Sequence, residues 1–352
     1  MSDENRVMEF LERVVSDQAA AFAGVSTSLG IRLGLYKAMS GAGWLTSEEL
    51  ALRAGLVERY VREWLAAQVA GEYVQYDAET NVYVLPDAHA AVLADSSQPT
   101  YVAGGFTMLA ALHGAEEALA NAYRNGGGVS WLEYGPRLAE GVAAFFKPGY
   151  EATLVQEWLP AMDGVEEKLR RGAKVADVGC GFGHSTVLMA KAFPESRFYG
   201  FDFHEPSVEA ARKHAVEAGV ADRVTFEVAA ADDFPGVGYD LVTYFDCLHD
   251  LGDPAAALQR VEEALAEDGS CLVVEPNVSG EPNENINPLG RSFSSTSAVL
   301  CLPAAMAQNG PHALGNHPGQ HALMGIAATV GLHRWKLAVE TFTNRVYDVK
   351  RR

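Results

Sequence analysis

The chain opens with a helical pattern of apolar residues. These residues recur at helical spacing over positions 7–22, where the later part is rich in Ala. Thr46 lies three residues before Glu49, which is the spacing of a capping box at the start of a helix. This short helix is predicted to end near Gly55, and a second helix is predicted to begin near Val57.

Two short runs of strand-forming residues follow these helices. They occupy positions 73–75 and 82–84 and flank the turn sequence Asp-Ala-Glu-Thr-Asn. Two such runs around a polar turn predict a two-stranded wing. Helix, turn, helix and wing together predict a winged helix-turn-helix domain, which we assign to residues 1–87.

The pattern then becomes mostly helical over residues 88–172. Breaks are predicted at Gly126–Val129 and at Pro148–Gly149, where glycine and proline interrupt it. Positions 96–115 carry no formal charge but contain polar residues, so we expect a buried helix and not a membrane span. This region is predicted to connect two domains.

Residues 173–352 alternate between strand and helix patterns. Such alternation predicts right-handed βαβ units, an α/β fold and a doubly wound, mostly parallel sheet. Two final β-rich runs, Trp335–Thr341 and Arg345–Val349, predict a hairpin at the edge of the sheet and bring it to seven strands. The five parallel strands are expected near positions 174–179, 197–202, 223–228, 240–245 and 270–275.

Composition and charge narrow the class of protein. The chain has 352 residues, of which 48% are hydrophobic and 21% charged, as in globular proteins with more than one domain. Its net charge of −19 argues against a nucleic-acid substrate, because phosphate backbones repel it. Four widely separated cysteines indicate a reducing compartment. With no secretory signal or membrane span in view, we expect a soluble, cytoplasmic protein.

One long segment is free of charge. Positions 292–333 contain no Asp, Glu, Lys or Arg, so the segment either lines an apolar cavity or packs as an Ala- and Gly-rich core. It contains His312, His317 and His321. A metal site there is disfavoured, since Pro318 between the last two histidines indicates a helix start. We assign no metal ligands and expect His317 in a substrate pocket.

The strongest chemical signal is a glycine loop after an apolar strand. Gly179, Gly181 and Gly183 form a Gly-x-Gly-x-Gly turn, which lets the backbone bend sharply and a ligand approach its N–H groups. Asp202 ends the next strand, where a carboxylate can accept both hydrogen bonds of a ribose diol. Asp177, two residues before the first glycine, would repel a pyrophosphate and attract a ligand with ammonium and sulfonium groups.

This constellation resembles the class I S-adenosylmethionine-dependent methyltransferases. Asp177–Gly183 matches their first motif, and Asp202 matches their ribose-binding acid. Segments 245–254 and 267–276 match those that follow strand four and form strand five. The resemblance implies S-adenosyl-L-methionine as cofactor, with Asp246 beside its methionine end. It also implies that Phe203 and Asp232 flank the adenine, although Ala230 replaces the family's usual acid after strand three.

The whole chain is similar to a narrower group of bacterial methyltransferases. These have a winged-helix N-terminal domain and a plan related to the small-molecule O-methyltransferases. Segments 126–135, 145–150 and 287–291 carry motifs of that group. The similarity implies a homodimer through the N-terminal domain, a small aromatic or apolar acceptor, and a connector over residues 88–172 that contributes to the acceptor pocket.

A histidine after the fourth parallel strand is the candidate catalytic base. In the O-methyltransferases a catalytic His within a His-Asp pair lies at this position, matched here by His249, and a Glu that orients it is matched by Glu275. A Glu–His pair fixes the tautomer and raises the basicity of the imidazole. The alternative is that His249 only walls the cofactor pocket.

Aromatic residues before the glycine strand are further candidates. We place Tyr150 at the cofactor, where a ring can face a sulfonium, and Phe146 at the acceptor, whereas Trp158 is expected in the core. Two other functions stay open from the sequence. One is a cofactor-sensing regulator that binds DNA, opposed by seven basic against thirteen acidic residues at positions 1–90. The other is a non-methylating enzyme on the same scaffold.

Overall fold

The computed structural model describes residues 3–351. It divides into two compact units. The first unit comprises the chain through His113 together with Glu140–Pro148, and the second comprises Gly114–Ala139 and the chain from Gly149 onward. Within the described range, no helix is both long and apolar enough to cross a membrane.

The first unit is helical with a small wing. Its elements are α1 (Asp3–Arg32), α2 (Leu35–Met39), α3 (Ser47–Ala54), α4 (Glu58–Ala70), β1 (Gln75–Asp77), β2 (Val82–Val84), α5 (Asp87–Leu93) and α6 (Gly104–Gly114). The predicted capping box is confirmed, since Thr46 and Glu49 each accept a hydrogen bond from the other's backbone N–H. The strands β1 and β2 pair in antiparallel fashion, which confirms the predicted wing, although β1 begins at Gln75 and not at Tyr73.

The expectation of a buried helix over 96–115 is wrong in two respects. The helix begins only at Gly104, because the preceding turn is held by Asp95, whose carboxylate accepts hydrogen bonds from the side chains of Ser97 and Gln98. Its apolar residues are also only partly covered, and Leu109 is 37% exposed. The lack of charged residues at positions 96–115 therefore does not mean that this segment is buried.

A second correction concerns the predicted break at Pro148. Helix α7 (Glu116–Asn125) does end before the glycine loop at 126–129, but α8 (Pro136–Thr153) runs through Pro148 and is followed by a π-helical turn, Leu154–Trp158. Backbone atoms of α8 lie so close to α6 that a Cβ on Gly104 would come within 2.3 Å of Phe145 N. Such close packing stabilises a helix against the unfavourable effect of one proline.

The second unit is built on a seven-stranded sheet. Its elements after α8 are α9 (Val165–Arg171), β3 (Lys174–Val178), α10 (His184–Ala192), β4 (Arg197–Asp202), α11 (Glu205–Glu217), β5 (Val224–Val228), β6 (Tyr239–Phe245), α12 (Pro254–Ala264), β7 (Leu265–Pro276), α13 (Pro288–Thr296), α14 (Leu302–Ala307), α15 (Gly319–Thr329), β8 (Arg334–Glu340) and β9 (Asn344–Lys350). The strand order is β5-β4-β3-β6-β7-β9-β8.

The sheet confirms the predicted fold class. Strands β5, β4, β3, β6 and β7 are parallel, β9 runs antiparallel to β7, and β8 completes the edge hairpin. A buried cluster that includes Val178, Tyr244 and Val273 covers one face of these strands. The strand order reverses between β3 and β6, and ligands bind beyond the carboxyl ends of the strands at such a point. The candidate residues lie at that edge.

Candidate active site

The glycine loop after β3 requires glycine for two different reasons. Gly179, Gly181 and Gly183 have φ of 72°, 51° and 72°, in the left-handed region that side chains disfavour. A Cβ on Gly179 would also lie 2.6 Å from Cys247 Sγ, and one on Gly183 would lie 2.5 Å from the Phe226 ring. Around Gly181 there is open space, so only the backbone conformation demands glycine there.

Asp202 is tied directly to this loop. Its Oδ2 accepts a hydrogen bond of 2.8 Å from Gly181 N, and its Oδ1 accepts one of 2.8 Å from His204 N. Burial raises the pKa of this carboxyl, and the two backbone donors oppose the rise. The structure therefore brings the predicted ribose acid and the glycine loop together at the ends of β3 and β4.

Asp177 is turned into the protein. Its carboxylate accepts hydrogen bonds from Ser185 Oγ at 2.7 Å, from Thr186 Oγ1 at 2.6 Å and from Thr243 Oγ1 at 3.0 Å. Burial raises its pKa, and the three hydroxyls oppose that change. The geometry supports a positioning role, in which Asp177 fastens the start of α10 and the end of the loop to β6.

The two residues expected at the adenine are an aromatic one, Phe203, and an acidic one, Asp232. Phe203 is an aromatic side chain that is 50% exposed immediately after β4, which is an arrangement suited to stacking on a planar ring. Asp232 lies exposed in the loop that follows β5. Both side chains are accessible to a ligand at this edge of the sheet.

Asp246 lies buried after β6 in a left-handed conformation, with φ of 50°. Its carboxylate accepts hydrogen bonds from Tyr150 Oη at 3.2 Å and from Asn344 Nδ2 at 2.7 Å. Burial, and then repulsion from Glu275, raise the pKa of Asp246 to about 8. Tyr150 packs in turn on Phe245 and Trp158, and Trp158 is only 2% exposed, in accordance with its predicted core position.

We expect the Asp246→Asn variant to lose less stability than the wild type between pH 5 and pH 8. A carboxyl whose pKa is about 8 in the folded state and about 4 when unfolded keeps its proton only in the folded protein over that interval. The unfolded state gains by releasing the proton, so stability falls as the pH rises. Asn cannot titrate, and it tolerates the left-handed backbone. Urea unfolding at both pH values measures the effect, and equal slopes in the two proteins would contradict it.

His249 and Glu275 form a buried pair, each 3% exposed. His249 Nδ1 lies 2.5 Å from Glu275 Oε2, and the backbone N–H of His249 donates to Glu275 Oε1 at 3.3 Å. Burial alone would lower the pKa of His249, but the carboxylates of Glu275 and Asp250 outweigh it and raise the pKa well above the usual value. The two neighbouring carboxylates thus favour the protonated form of the imidazole.

The remaining predicted residues are more scattered. Phe146 belongs to the first unit, where its ring packs edge-on against Phe145 with centroids 5.1 Å apart. His317 is half-buried beside Asn316, while His312 and His321 are exposed. Among the described residues, these histidines belong to no cluster of metal-ligating groups. Helix α15 begins at Gly319, as the proline before it predicted.

Several residues in the site escaped the sequence prediction. Thr243 and Asn344 hold Asp177 and Asp246 from β6 and β9, and Cys301 lies close to His249. Thr243 and Asn344 lie in ordinary strand positions, and Cys301 ends a π-helical turn, Ser297–Cys301. Asp250, by contrast, could be found from the sequence, because it follows His249 directly and completes the His-Asp pair.

Two family models match separate parts of the chain. Residues 20–95 match the Rv2258c-like winged HTH domain, and residues 169–324 match a methyltransferase domain. The 27-O-demethylrifamycin SV methyltransferase of Amycolatopsis mediterranei (strain S699) is 33% identical over 103 residues. That stretch covers 29% of this chain and only 38% of the relative, so the similarity is confined to part of each protein.

Solved structures match over nearly the whole chain. The mitomycin 7-O-methyltransferase MmcR has a TM-score of 0.75 at 19% identity and covers 99% of this chain and 100% of its own. PigF with SAH has a TM-score of 0.69 at 17% identity and covers 99% of both chains. At such identities these matches establish the fold alone. Residues 20–95 thus match an Rv2258c-like winged helix-turn-helix domain, residues 169–324 match a methyltransferase domain, and the chain has the Rossmann-like fold of such methyltransferase structures.

Proposed function

We propose that the protein transfers a methyl group from S-adenosyl-L-methionine to a small acceptor molecule that is aromatic or apolar. The observation that carries this proposal is the hydrogen bond from Gly181 N to Asp202, which joins the glycine loop to the ribose acid. The match of residues 169–324 to a methyltransferase domain supports it, as does the methyl transfer named for the rifamycin relative.

The donor is held by the ends of β3, β4 and β6. In this proposal the glycine loop, positioned by Asp177, binds the amino-acid moiety, and Asp202 binds the ribose diol. Phe203 stacks on the adenine, and Asp232 contacts its amino group. Asp246 and Tyr150 line the methionine end, where the positive sulfonium opposes the effect of burial and favours the ionised form of Asp246.

Methyl transfer itself is an in-line displacement. The acceptor heteroatom loses its proton to a base and attacks the methyl carbon, the carbon–sulfur bond breaks, and its electron pair stays on sulfur. We assign the base to His249 and its orientation to Glu275. Binding of the sulfonium adds a positive charge, which opposes protonation of His249 and lowers its pKa towards the range a base needs. Phe146 and His317 are each still predicted to contact the acceptor.

Calorimetry tests the donor assignment. The purified protein is expected to bind S-adenosyl-L-methionine and its demethylated product, and to ignore a nicotinamide nucleotide. A screen of phenols, thiols and amines with labelled donor then identifies the acceptor class. Uptake of the nicotinamide nucleotide without binding of the sulfonium compound would overturn the proposed function.

We also propose that the protein is a homodimer through its N-terminal domain. Helix α1 exposes large apolar side chains at spacings of three and four, with one spacing of seven in the middle, which is the pattern of a helix–helix seam. These residues are Met8, Leu11, Val15, Phe22, Val25 and Leu29. An apolar stripe of this kind is normally covered by another protein surface, and a second copy offers the same stripe.

The Phe22→Glu variant is expected to shift the protein from dimer to monomer. Phe22 is 77% exposed in the isolated chain, and a carboxylate in an apolar seam would be left unpaired. Leu52→Glu is the matched control, because Leu52 is 84% exposed on α3, outside the stripe. Analytical ultracentrifugation reports the mass. A wild-type monomer, or a Phe22→Glu protein that remains dimeric, would refute the α1 seam.

A further inference from the structure

The turn 248–252, which carries His249, is hydrogen-bonded to the side chain of Gln308 at the end of α14. Gln308 Nε2 donates to the carbonyl oxygen of Asp250 at 2.7 Å, and Oε1 accepts a hydrogen bond of 3.0 Å from Gly252 N. Nε2 also donates to a carbonyl oxygen one helical turn earlier in α14, at 3.1 Å. The amide thus uses its donor and acceptor groups together to join α14 to the turn.

The chain beyond α14 packs closely on the same turn. A Cβ on Gly310 would lie 2.1 Å from the carbonyl carbon of Gly252, so the two backbones touch and glycine is needed there. The backbone N–H of His312 donates to Gly252 O at 3.0 Å. The residues that directly follow His249 are therefore held by both side-chain and backbone contacts from a distant part of the chain.

Helix α14 is also fixed by the loop 126–135. The backbone N–H of Val129 donates to Pro303 O, in the first turn of α14, at 3.1 Å. Tyr134 Oη donates to Val299 O, in the π-helical turn before α14, at 2.8 Å. The helix that carries the glutamine is thus anchored independently of the turn, so it can serve as a fixed support for it.

The surroundings of the His249 ring depend on where this turn lies. The ionisable groups that interact with the ring are Glu275, Asp250, Cys301 and Asp246. Of these, Asp250 belongs to the turn itself, and its Oδ1 lies 3.1 Å from His249 Nε2. Because Gln308 bonds the carbonyl oxygen of Asp250, loss of that bond would change the distance between this carboxylate and the imidazole.

We propose that Gln308 is a positioning residue for His249, and that its amide fixes the turn 248–252 so that the imidazole is held in one place. The inference rests on the proposed function where it concerns methyl transfer, but the placement of the ring can be measured without a methyl donor. It also gives the charge-free segment 292–333 a role. A neutral amide can bond a backbone N–H and a backbone carbonyl at once, whereas an ionised carboxylate only accepts and an ammonium only donates.

Titration of the histidine side chains by NMR tests the placement of the ring in the full chain without ligand. His249→Ala identifies the signal of His249, and Gln308→Met removes both hydrogen bonds to the turn with a side chain of similar length. The Asp250 carboxylate raises the pKa of His249, so a turn that moves more freely is expected to lower that pKa in Gln308→Met. Gln308 is exposed, so the change leaves no cavity, and thermal unfolding confirms the fold. Gln259→Met is the matched control, because Gln259 is exposed on α12 and bonds Glu263 on the same helix.

Kinetics test whether Gln308 acts through His249. Gln308→Met is expected to lower kcat by about 10- to 100-fold with donor binding unchanged, since a displacement of about 1 Å at a reacting group has effects of this size. In the His249→Ala background the same change is expected to alter the rate by no more than about twofold, because the group that it positions is gone. An equal loss in both backgrounds, or an unchanged pKa of His249 in Gln308→Met, would overturn the proposal. A wild type that transfers no methyl group would refute the proposed function, while the titration still decides whether Gln308 positions the imidazole.

Discussion

Replacing His249 by Ala is expected to lower the rate of methyl transfer by about 10²- to 10⁴-fold, which is the usual contribution of a general base. Binding of S-adenosyl-L-methionine is expected to stay near that of the wild type, because the glycine loop and Asp202 are untouched. The side chain is buried against Glu275, so its loss leaves the acceptor without a group that can take its proton. Transfer kinetics and calorimetry with the donor measure the two effects separately.

Two further variants serve as a control and as a milder change in the same experiment. His312→Ala removes an exposed histidine and should leave both quantities unchanged. Glu275→Gln keeps a hydrogen-bonding group beside Nδ1 but removes the charge, so it should lower the transfer rate less than loss of the imidazole does. Full methyl transfer by His249→Ala would show that this histidine only walls the pocket, and a parallel loss of donor binding would assign it to the cofactor.

The fold could be predicted well from the sequence, because the patterns that indicate its strands and helices are local and recur along the chain. The alternation of strands and helices predicted the sheet, and the terminal β-rich runs predicted the β8–β9 hairpin that closes its edge. The capping box at Thr46 was equally local, since two side chains three residues apart determine it. Prediction failed where packing between segments far apart in sequence decides whether a helix continues. Helix α8 continues through Pro148 although the residue itself favours a break.

The same distinction separates the parts of the site. Glycines were predictable because their backbone angles need them, and Asp202 was predictable because it ends a strand beside the loop. The direction in which a carboxylate points could not be predicted in this way. Asp177 carries the charge that suggested attraction of a cationic ligand, yet three hydroxyls from α10 and β6 hold it inside the protein. Cys301 lies close to His249 only because the fold brings together two segments that are far apart in sequence.

Loss of the Asp202 carboxylate is the second change with a large expected effect. In Asp202→Asn, one of the two oxygens becomes an N–H₂ group, which faces a backbone N–H donor and cannot accept its hydrogen bond. The Gly181 and His204 donors currently bond to separate oxygens, so one of them loses its partner. The ribose diol also loses a charged acceptor. Hydrogen bonds to charged groups contribute about 1.5 to 3 kcal/mol, which corresponds to roughly 10- to 150-fold weaker donor binding.

The measurement is calorimetry with S-adenosyl-L-methionine and with its demethylated product, both of which carry the ribose. Asp233→Asn is the matched control, since this exposed neighbour of Asp232 has no assigned contact. Equal weakening of both ligands by Asp202→Asn locates the defect at the sugar, because the ligands differ only at sulfur. Weakening confined to the sulfonium compound would instead indicate that Asp202 acts through its charge at a distance. Unchanged affinity for both would remove Asp202 from the binding site, and with it the link to the glycine loop on which the proposed function depends.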